Sequence, residues 1–367
     1  MYNAMDKVLF VINHGIYPHI TGGMEVFNYH LINNLSHNMP VAYMATHKYD
    51  YDSAEYIASR SIRPNTIFAP LQLLIFLLFH RKYKNVVFSF SAASWLIWPL
   101  YAIVIKLLNL KSTIVIHYGK EVPQHHTSAY KFFLKSASNI IAVSDDIKRN
   151  YDYAFDLDCK VLYPLIPFKK SEFSQAHNRK IYQIPNDANV LSMVGSLKEM
   201  KNPQTLLEAL RLFNSSELTQ YNPYIVYVGD GPMRTTLEDY VNRNNLSERV
   251  RFLGVIPNDK VCDIFSLSDI YIIASDFEGT SISLLEAMFN AKPIIASNVP
   301  GLNDMIFSGE NGLLFEHNSS AELKKKIVQL LSDRGYSDSL GKTAYNSFLN
   351  KYSYSNIIGE YERILNK

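Results

Sequence analysis

Glu278-Gly279-Thr280-Ser281-Ile282-Ser283-Leu284-Leu285-Glu286-Ala287-Met288 is the stretch from which the fold of this chain is read. The apolar run Ile270–Ala274 precedes it and reads as a strand. Ile282, Leu285 and Met288 or Phe289 recur at helical spacing, so a helix is predicted to start near Ser281 or Ser283 and to bury that face. Glu278 then falls in the loop outside the helix N-terminus, and Glu286 lies about two turns in. Thr280 and Ser281 offer amides to an anion at that terminus. Carboxylates beside an anion site are costly to bury unless hydroxyl donors satisfy them, and a sugar and a ribose carry such hydroxyls.

The same strand–loop–helix unit recurs in both directions. Before the middle of the chain the strand-like runs are Val8–Ile12, Val41–Ala45, Val86–Phe90, Thr113–His117 and Ile140–Val143. After it they are Val190–Val194, Tyr224–Val228, Val250–Leu253, Ile270–Ala274 and Pro293–Ala296. Continuous apolar runs bounded by turn residues indicate strands covered on both faces, and helix-length spacers indicate parallel β-α-β units. The series restarts after the irregular Tyr163-Pro164-Leu165-Ile166-Pro167. Two domains are therefore predicted, residues 1–168 and 173–347. The apolar spacing of Ile357, Ile358, Tyr361, Ile364 and Leu365 predicts a last helix, 352–367, that returns to the first domain.

Composition limits the function. The 367 residues are 47% hydrophobic and 19% charged with a net charge of +2, so the chain is neither disordered nor a nucleic-acid binder. Charge is uneven: residues 1–168 hold 15 Lys and Arg against 11 Asp and Glu, a net of +4, and the rest is −2. Cys159 and Cys262 are far apart, which suggests neither a disulfide framework nor a zinc site and fits a reducing cytoplasm. The first apolar run, Val8–Ile12, reads as a strand and not as a signal peptide. Leu71–Phe79 and Trp95–Ile105 fall short of the ~20 apolar residues of a membrane span. They read either as helices buried on a sheet or as an interfacial face, since Arg81, Lys82, Lys84, Lys106 and Lys111 flank them.

Ligands of open parallel sheets bind beyond the carboxyl ends of the strands. Three further motifs lie there. Gly22-Gly23 follows the first strand and precedes a helical pattern, Val26–Leu35, which suits a phosphate or an ordinary turn. Gly195-Ser196-Leu197-Lys198-Glu199-Met200-Lys201-Asn202-Pro203 closes another strand. Asn202 is predicted to cap the next helix with Pro203 in its first position. That leaves Lys198 and Lys201 at the sheet mouth, as neutralisers of a diphosphate or as solvated lysines. Val228-Gly229-Asp230-Gly231-Pro232 is a sharp turn, either plain or open to a flat ligand.

After Glu278–Met288 come Lys292-Pro293-Ile294-Ile295-Ala296-Ser297, Val299-Pro300-Gly301 and Gly309-Glu310-Asn311-Gly312-Leu313-Leu314-Phe315. With Val228–Pro232, Arg251-Phe252-Leu253-Gly254 and Ile141-Ala142-Val143-Ser144 in the same order, the chain resembles the retaining glycosyltransferases of family four. The resemblance covers nearly the whole chain and is strongest over 190–316. It implies the α/β GT-B fold, two Rossmann-like domains facing across a cleft. It also implies transfer of a sugar from a nucleoside diphosphate sugar, with retention and without a metal, to a saccharide or lipid-linked saccharide.

By the same resemblance, Glu286 holds the ribose hydroxyls and Glu278 the hydroxyls of the transferred sugar. The amides of Thr280, Ser281 and Ile282, together with Lys201, hold the diphosphate. The main chain near Val255 touches the base, Gly23 faces the diphosphate from the first domain, and His117 stands near the donor sugar; a histidine at a strand end also has a purely structural reading. Gly195, Lys198 and Asp230 complete the donor side. No metal or other cofactor is implied, and Asp145-Asp146 fits a helix N-terminus after Ser144. The resemblance implies bacterial surface polysaccharide synthesis on a lipid carrier at the cytoplasmic face, and the first domain is expected to rest on the inner face of the plasma membrane through the region around Leu71–Lys84 or Trp95–Lys111.

Three positions depart from the family pattern. Ser196 stands where arginine commonly pairs with the diphosphate, Asp304 where glutamate is usual, and the Asn-Gly-hydrophobic-Asp segment is missing from Tyr163–Phe168. A nucleotide-sugar epimerase shares the fold, and a non-catalytic relative serving as a binding partner is the reading that Ser196 raises. A nicotinamide enzyme is disfavoured, because no Gly-x-Gly-x-x-Gly follows the first strand.

Overall fold

The apolar runs do form strands, and their parallel pairing explains why they lack alternation. A computed structural model of the chain describes residues 7–12, 23–44, 53–56, 68–90, 97–117 and 127–366. The chain divides into two compact units, Met1–Pro167 with Tyr354–Lys367, and Phe168–Ser353.

The first unit contains β1 (Lys7–Ile12), β2 (Val41–Met44), β3 (Glu55–Tyr56), β4 (Tyr83–Phe90), β5 (Lys111–Ile116), β6 (Asn139–Ala142) and β7 (Lys160–Val161). Its helices are α1 (Gly23–Asn38), α2 (Ala69–Phe79), α3 (Trp98–Leu107), α4 (Thr127–Leu134) and α5 (Asp145–Phe155). All pairings are parallel, in the order β3-β2-β1-β4-β5-β6-β7. Val8 to Ile12 are buried at every position, as a central strand covered on both faces requires. Ser144 caps α5 by accepting from the Ile147 amide at 3.3 Å, and Asp145 and Asp146 occupy the first turn, where the dipole favours acids.

The second unit contains β8 (Asn189–Val194), β9 (Pro223–Val228), β10 (Val250–Phe252), β11 (Ile270–Ile273), β12 (Ile294–Ser297) and β13 (Leu313–Phe315). Their order is β10-β9-β8-β11-β12-β13, again parallel throughout. The helices are α6 (Gln175–Ile181), α7 (Gln204–Arg211), α8 (Ser215–Tyr221), α9 (Arg234–Arg243), α10 (Val261–Leu267), α11 (Ile282–Phe289), α12 (Ser320–Ser332) and α13 (Arg334–Lys351). Alternate residues of β8 and β9 enter two different cores. Leu191, Met193, Ile225 and Tyr227 pack with Leu206 and Leu210, while Val190, Val226 and Val228 pack with Ile264 and Leu267.

The final helix, Tyr354–Asn366, belongs to the first unit. It buries Ile357, Tyr361, Ile364 and Leu365, and Tyr361 donates to the Tyr163 carbonyl at 3.4 Å. Asn38 donates to Glu362 at 2.6 Å, and the buried Asn85 amide donates to the Leu365 carbonyl. Tyr352 closes α13 instead, its amide bonding the Phe348 carbonyl at 2.8 Å.

The two apolar stretches form helices that are buried on one face, as the core reading expects, and exposed on the other. Leu73 and Leu77 of α2, and Tyr101, Ala102, Val104 and Ile105 of α3, are buried. Leu71, Ile75, Leu78 and Phe79, and Leu100, Ile103 and Leu107, are exposed. Trp95 lies outside the described residues. Among those described, no helix is long and apolar enough to cross a membrane.

Candidate active site

In each sheet the strand order reverses beside the first strand of the unit, which leaves a crevice beyond the carboxyl ends of the two strands flanking the reversal. In the second unit these strands are β8 and β11. Two of the motifs read from the sequence, Gly195–Pro203 and the one that begins at Glu278, meet there. A recess is lined by Gly195, Ser196 and Leu197 after β8, by Ser275 and Glu278 after β11, and by Lys201.

Lys201 closes a short 3-10 turn, Glu199–Lys201. Asn202 was expected to cap α7. It adopts the left-handed conformation at φ 47°, ends the 3-10 turn, and donates to Asn318 at 2.6 Å. Asparagine tolerates this conformation better than most residues. Pro203 consequently takes the cap position and α7 starts at Gln204. The displacement places the Lys201 ammonium 2.5 Å from Glu278 Oε1. Ser275 donates to the same oxygen at 2.7 Å. Glu278 is buried, so this pair and hydrogen bond are what make burial of its charge tolerable.

Two glycines permit the approach of these loops. A Cβ on Gly229 would stand 2.0 Å from the Gly195 carbonyl oxygen, and one on Gly301 would stand 1.9 Å from that of Glu278. Gly301 also has φ +85°, a conformation costly to any residue with a Cβ. Gly301→Ala is expected to destabilise the second unit by about 2 kcal/mol through overpacking, and to displace Glu278. A thermal melt combined with donor titration checks this; an unshifted melt with intact donor binding contradicts it.

Helix α11 begins at Ile282 because Ser281 caps it, accepting from the Leu284 amide at 3.3 Å. Tyr271, buried in β11, donates to Ser283 at 2.8 Å, which ties the helix start to the sheet. The first-turn amides of a helix have no partner within it, so the site keeps a positive end toward the recess. Glu286 is the fifth residue of α11, just over one turn in and not two, since the cap fixes the start. It keeps partial contact with solvent, yet burial pushes its carboxyl up to about 8. Among the described residues no hydrogen bond reaches this carboxylate.

The other donor-side residues lie apart from this pair. Lys198 is exposed at the start of the 3-10 turn. Asp230 is exposed and binds its own turn, accepting from the Gly231 amide at 2.7 Å with Arg234 at 3.9 Å. Val255, 67% exposed, follows the Gly254 turn. In the first unit, Gly23 is the first residue of α1, and Gly22 and Tyr118–Glu121 lie outside the described residues. His117 follows β5. Its Nε2 is 2.7 Å from Ser89 Oγ, which donates to Asn28 Oδ1 at 2.6 Å.

Sequence reasoning did not single out Ser275, Tyr271 or Gly301. Gly301 carried the best signal, a Pro-Gly directly after a strand, but the nearness of the Glu278 backbone is a property of the fold. Among the described residues no three His, Cys, Asp or Glu side chains are grouped to hold a metal ion.

Comparison with known proteins places this geometry. An N-acetyl-alpha-D-glucosaminyl L-malate synthase of Bacillus anthracis is 25% identical over 250 residues, 68% of this chain and 61% of that protein. The UDP-Gal:alpha-D-GlcNAc-diphosphoundecaprenol alpha-1,3-galactosyltransferase of Escherichia coli is 29% identical over 189 residues, 50% of this chain and 46% of that protein. The chain spans 61%, 59% and 60% of the lengths of three curated relatives that it matches. Among solved structures, Alr3699/HepE of Anabaena in complex with UDP superposes with a TM-score of 0.79 at 17% identity, over 98% of this chain and 99% of that one. The fold is therefore that of the GT-B glycosyltransferases, two α/β units each built on a parallel sheet. Residues 174–347, most of the second unit, match the model of glycosyl transferases group 1, the family that this chain is similar to.

Proposed function

We propose that the chain is a retaining glycosyltransferase, moving a sugar from a nucleoside diphosphate sugar to a hydroxyl of a lipid-linked saccharide in bacterial surface polysaccharide synthesis. The observation that carries this reading is the Lys201–Glu278 pair at the strand-order reversal of the second sheet, beside the N-terminus of α11. Relatives support the substrate classes. One is named for UDP-Gal and a diphosphoundecaprenol acceptor, and the HepE structures hold UDP or UDP-glucose.

In this reading the leaving diphosphate meets Lys201, Lys198 and the amides of Thr280 to Ile282. These groups stabilise the charge that develops as the bond to the anomeric carbon breaks. Glu278 holds hydroxyls of the sugar while it carries oxocarbenium character, and Glu286 accepts from the ribose. No strong base is required. His117 toward the sugar, Gly23 toward the diphosphate, and Val255 and Asp230 toward the nucleoside are assigned on the family resemblance. The protein works on the cytoplasmic side of the plasma membrane, where both donor and carrier lipid are reached.

Ser196 favours a second reading, a non-catalytic relative that binds a partner, because the arginine usual in the family is missing there. Release of nucleoside diphosphate with and without a lipid-linked acceptor tests both. Acceptor-dependent release with an α-configured product from an α-configured donor is expected. Binding without turnover favours the partner reading, and an altered sugar nucleotide without acceptor favours an epimerase.

The lysines and helix amides take the charge-neutralising place of a metal in this proposal. Donor turnover is accordingly expected to survive EDTA unchanged. Loss of turnover on chelation, restored by magnesium or manganese, contradicts it.

A further inference from the structure

Helices α2 and α3 are apolar on both faces, and the sheet consumes only one of them. The exposed face of α2 and the residue before it hold Phe68 (66% exposed), Leu71, Ile75, Leu78 and Phe79 (82%), at the spacing of one helical stripe. On α3 the stripe is Leu100, Ile103 and Leu107 (67%). The chain passes from β3 to β4, β5 and β6 in one direction across the sheet, so right-handed crossovers place α2, α3 and α4 on the same side. They pack in that order, α2 on α3 and α3 on α4, so their outer faces adjoin. The ammonium of Lys106 lies 4.4 Å from the ring of the exposed Phe132, which joins α3 to α4. A contiguous apolar face of this extent is uncommon on a protein surface that stays in water.

Its border is basic. Arg81, Lys82 and Lys84 follow α2, Lys106 lies in the last turn of α3, and Lys111 opens β5. Residues 56–120 contain eight Lys or Arg and no Asp or Glu. Glu55 stands 3.8 Å from Lys82 on this border. With 11 residues, α2 is roughly 16 Å long and cannot cross a hydrocarbon core of ~30 Å. A second copy of the chain on this face would bring two basic borders together. An anionic bilayer satisfies the apolar stripes and the border at once.

We propose that the outer face of α2 and α3 docks on an anionic lipid bilayer, with Phe79 and Leu107 entering the interface and Arg81, Lys84 and Lys106 contacting headgroups. It depends on the glycosyltransferase reading only in making that bilayer the source of a lipid-linked acceptor.

The experiment is sedimentation of the full chain with phosphatidylcholine vesicles, with and without phosphatidylglycerol, across a salt series. Binding is expected to need phosphatidylglycerol and to fall toward 1 M salt, where the screening length is ~3 Å. A Phe79→Ser, Leu107→Ser variant and an Arg81→Glu, Lys84→Glu variant are each expected to bind roughly tenfold or more weakly. No binding, equal binding to neutral vesicles, or variants that bind as the wild type overturn the proposal. So does a concentration-dependent dimer that the Phe79→Ser, Leu107→Ser variant abolishes. Calorimetric titration of the same samples with UDP and GDP separates the two readings. Vesicle binding without nucleotide binding leaves this proposal standing and removes the donor reading.

Discussion

Lys201→Ala is expected to weaken binding of a nucleoside diphosphate by about 2–4 kcal/mol, or roughly thirty- to a thousand-fold, while the bare nucleoside loses little. The asymmetry follows from where the charge sits. The ammonium is 2.5 Å from Glu278 and closes the 3-10 turn at the crevice. A diphosphate approaching the α11 N-terminus meets it, and a nucleoside does not. The substitution also takes the ammonium from the buried Glu278 carboxylate, to which Ser275 still donates at 2.7 Å, so its charged form loses much of its support. A lower melting temperature at neutral pH is expected to accompany the affinity loss. Calorimetry that finds equal losses for nucleoside and nucleoside diphosphate contradicts the assignment of Lys201. Lys201→Arg, which keeps the charge, is expected to recover part of the diphosphate affinity.

Glu286→Ala is expected to cost about 1.5–3 kcal/mol of nucleoside affinity itself, as the loss of hydrogen bonds to a charged group does. This carboxyl also gives binding a pH dependence. Burial places it at about 8, so it is mostly protonated in the free protein at neutral pH. Two ribose hydroxyls donating to it favour the ionised form. Binding at pH 7 should therefore release a proton, and affinity should rise with pH until about 8.

Stability of the free protein runs the opposite way. A carboxyl raised in the folded state binds more protons there than in the unfolded chain, between the ordinary value near 4.5 and about 8. Its contribution to stability is full below that window and is lost as pH rises through it. Glu286→Gln should flatten both trends. Titrations in two buffers of different ionisation enthalpy measure the released proton, and its absence in the wild type contradicts the ribose assignment.

The fold was legible because parallel sheets require buried strands, and buried strands leave long apolar runs. Val8–Ile12, Val86–Phe90 and Val190–Val194 each lie within an observed strand. The short edge strands Glu55–Tyr56 and Lys160–Val161 were missed, since two residues show no pattern. Lys201 and Glu278 were each visible as candidates beyond a strand end. Their pairing was not, because it joins positions 77 apart and depends on Asn202 turning left-handed. The apolar runs around Leu71 and Ile103 could not be divided by composition either. An all-apolar helix conceals which face meets the sheet until the neighbouring strands are in place.

The central claim is that the second unit holds a nucleoside diphosphate sugar at Lys201, Glu278 and Glu286. It is tested most directly by melting the full chain against a panel of UDP-, GDP- and ADP-sugars. One nucleobase class at about a hundredfold over its dissociation constant should add roughly 2.7 kcal/mol, raising the melting temperature by about 5–10 °C. The same donor should leave Glu286→Ala and Lys201→Ala nearly unshifted. A panel in which no donor moves the wild-type melt, or in which one moves wild type and both variants equally, contradicts the account.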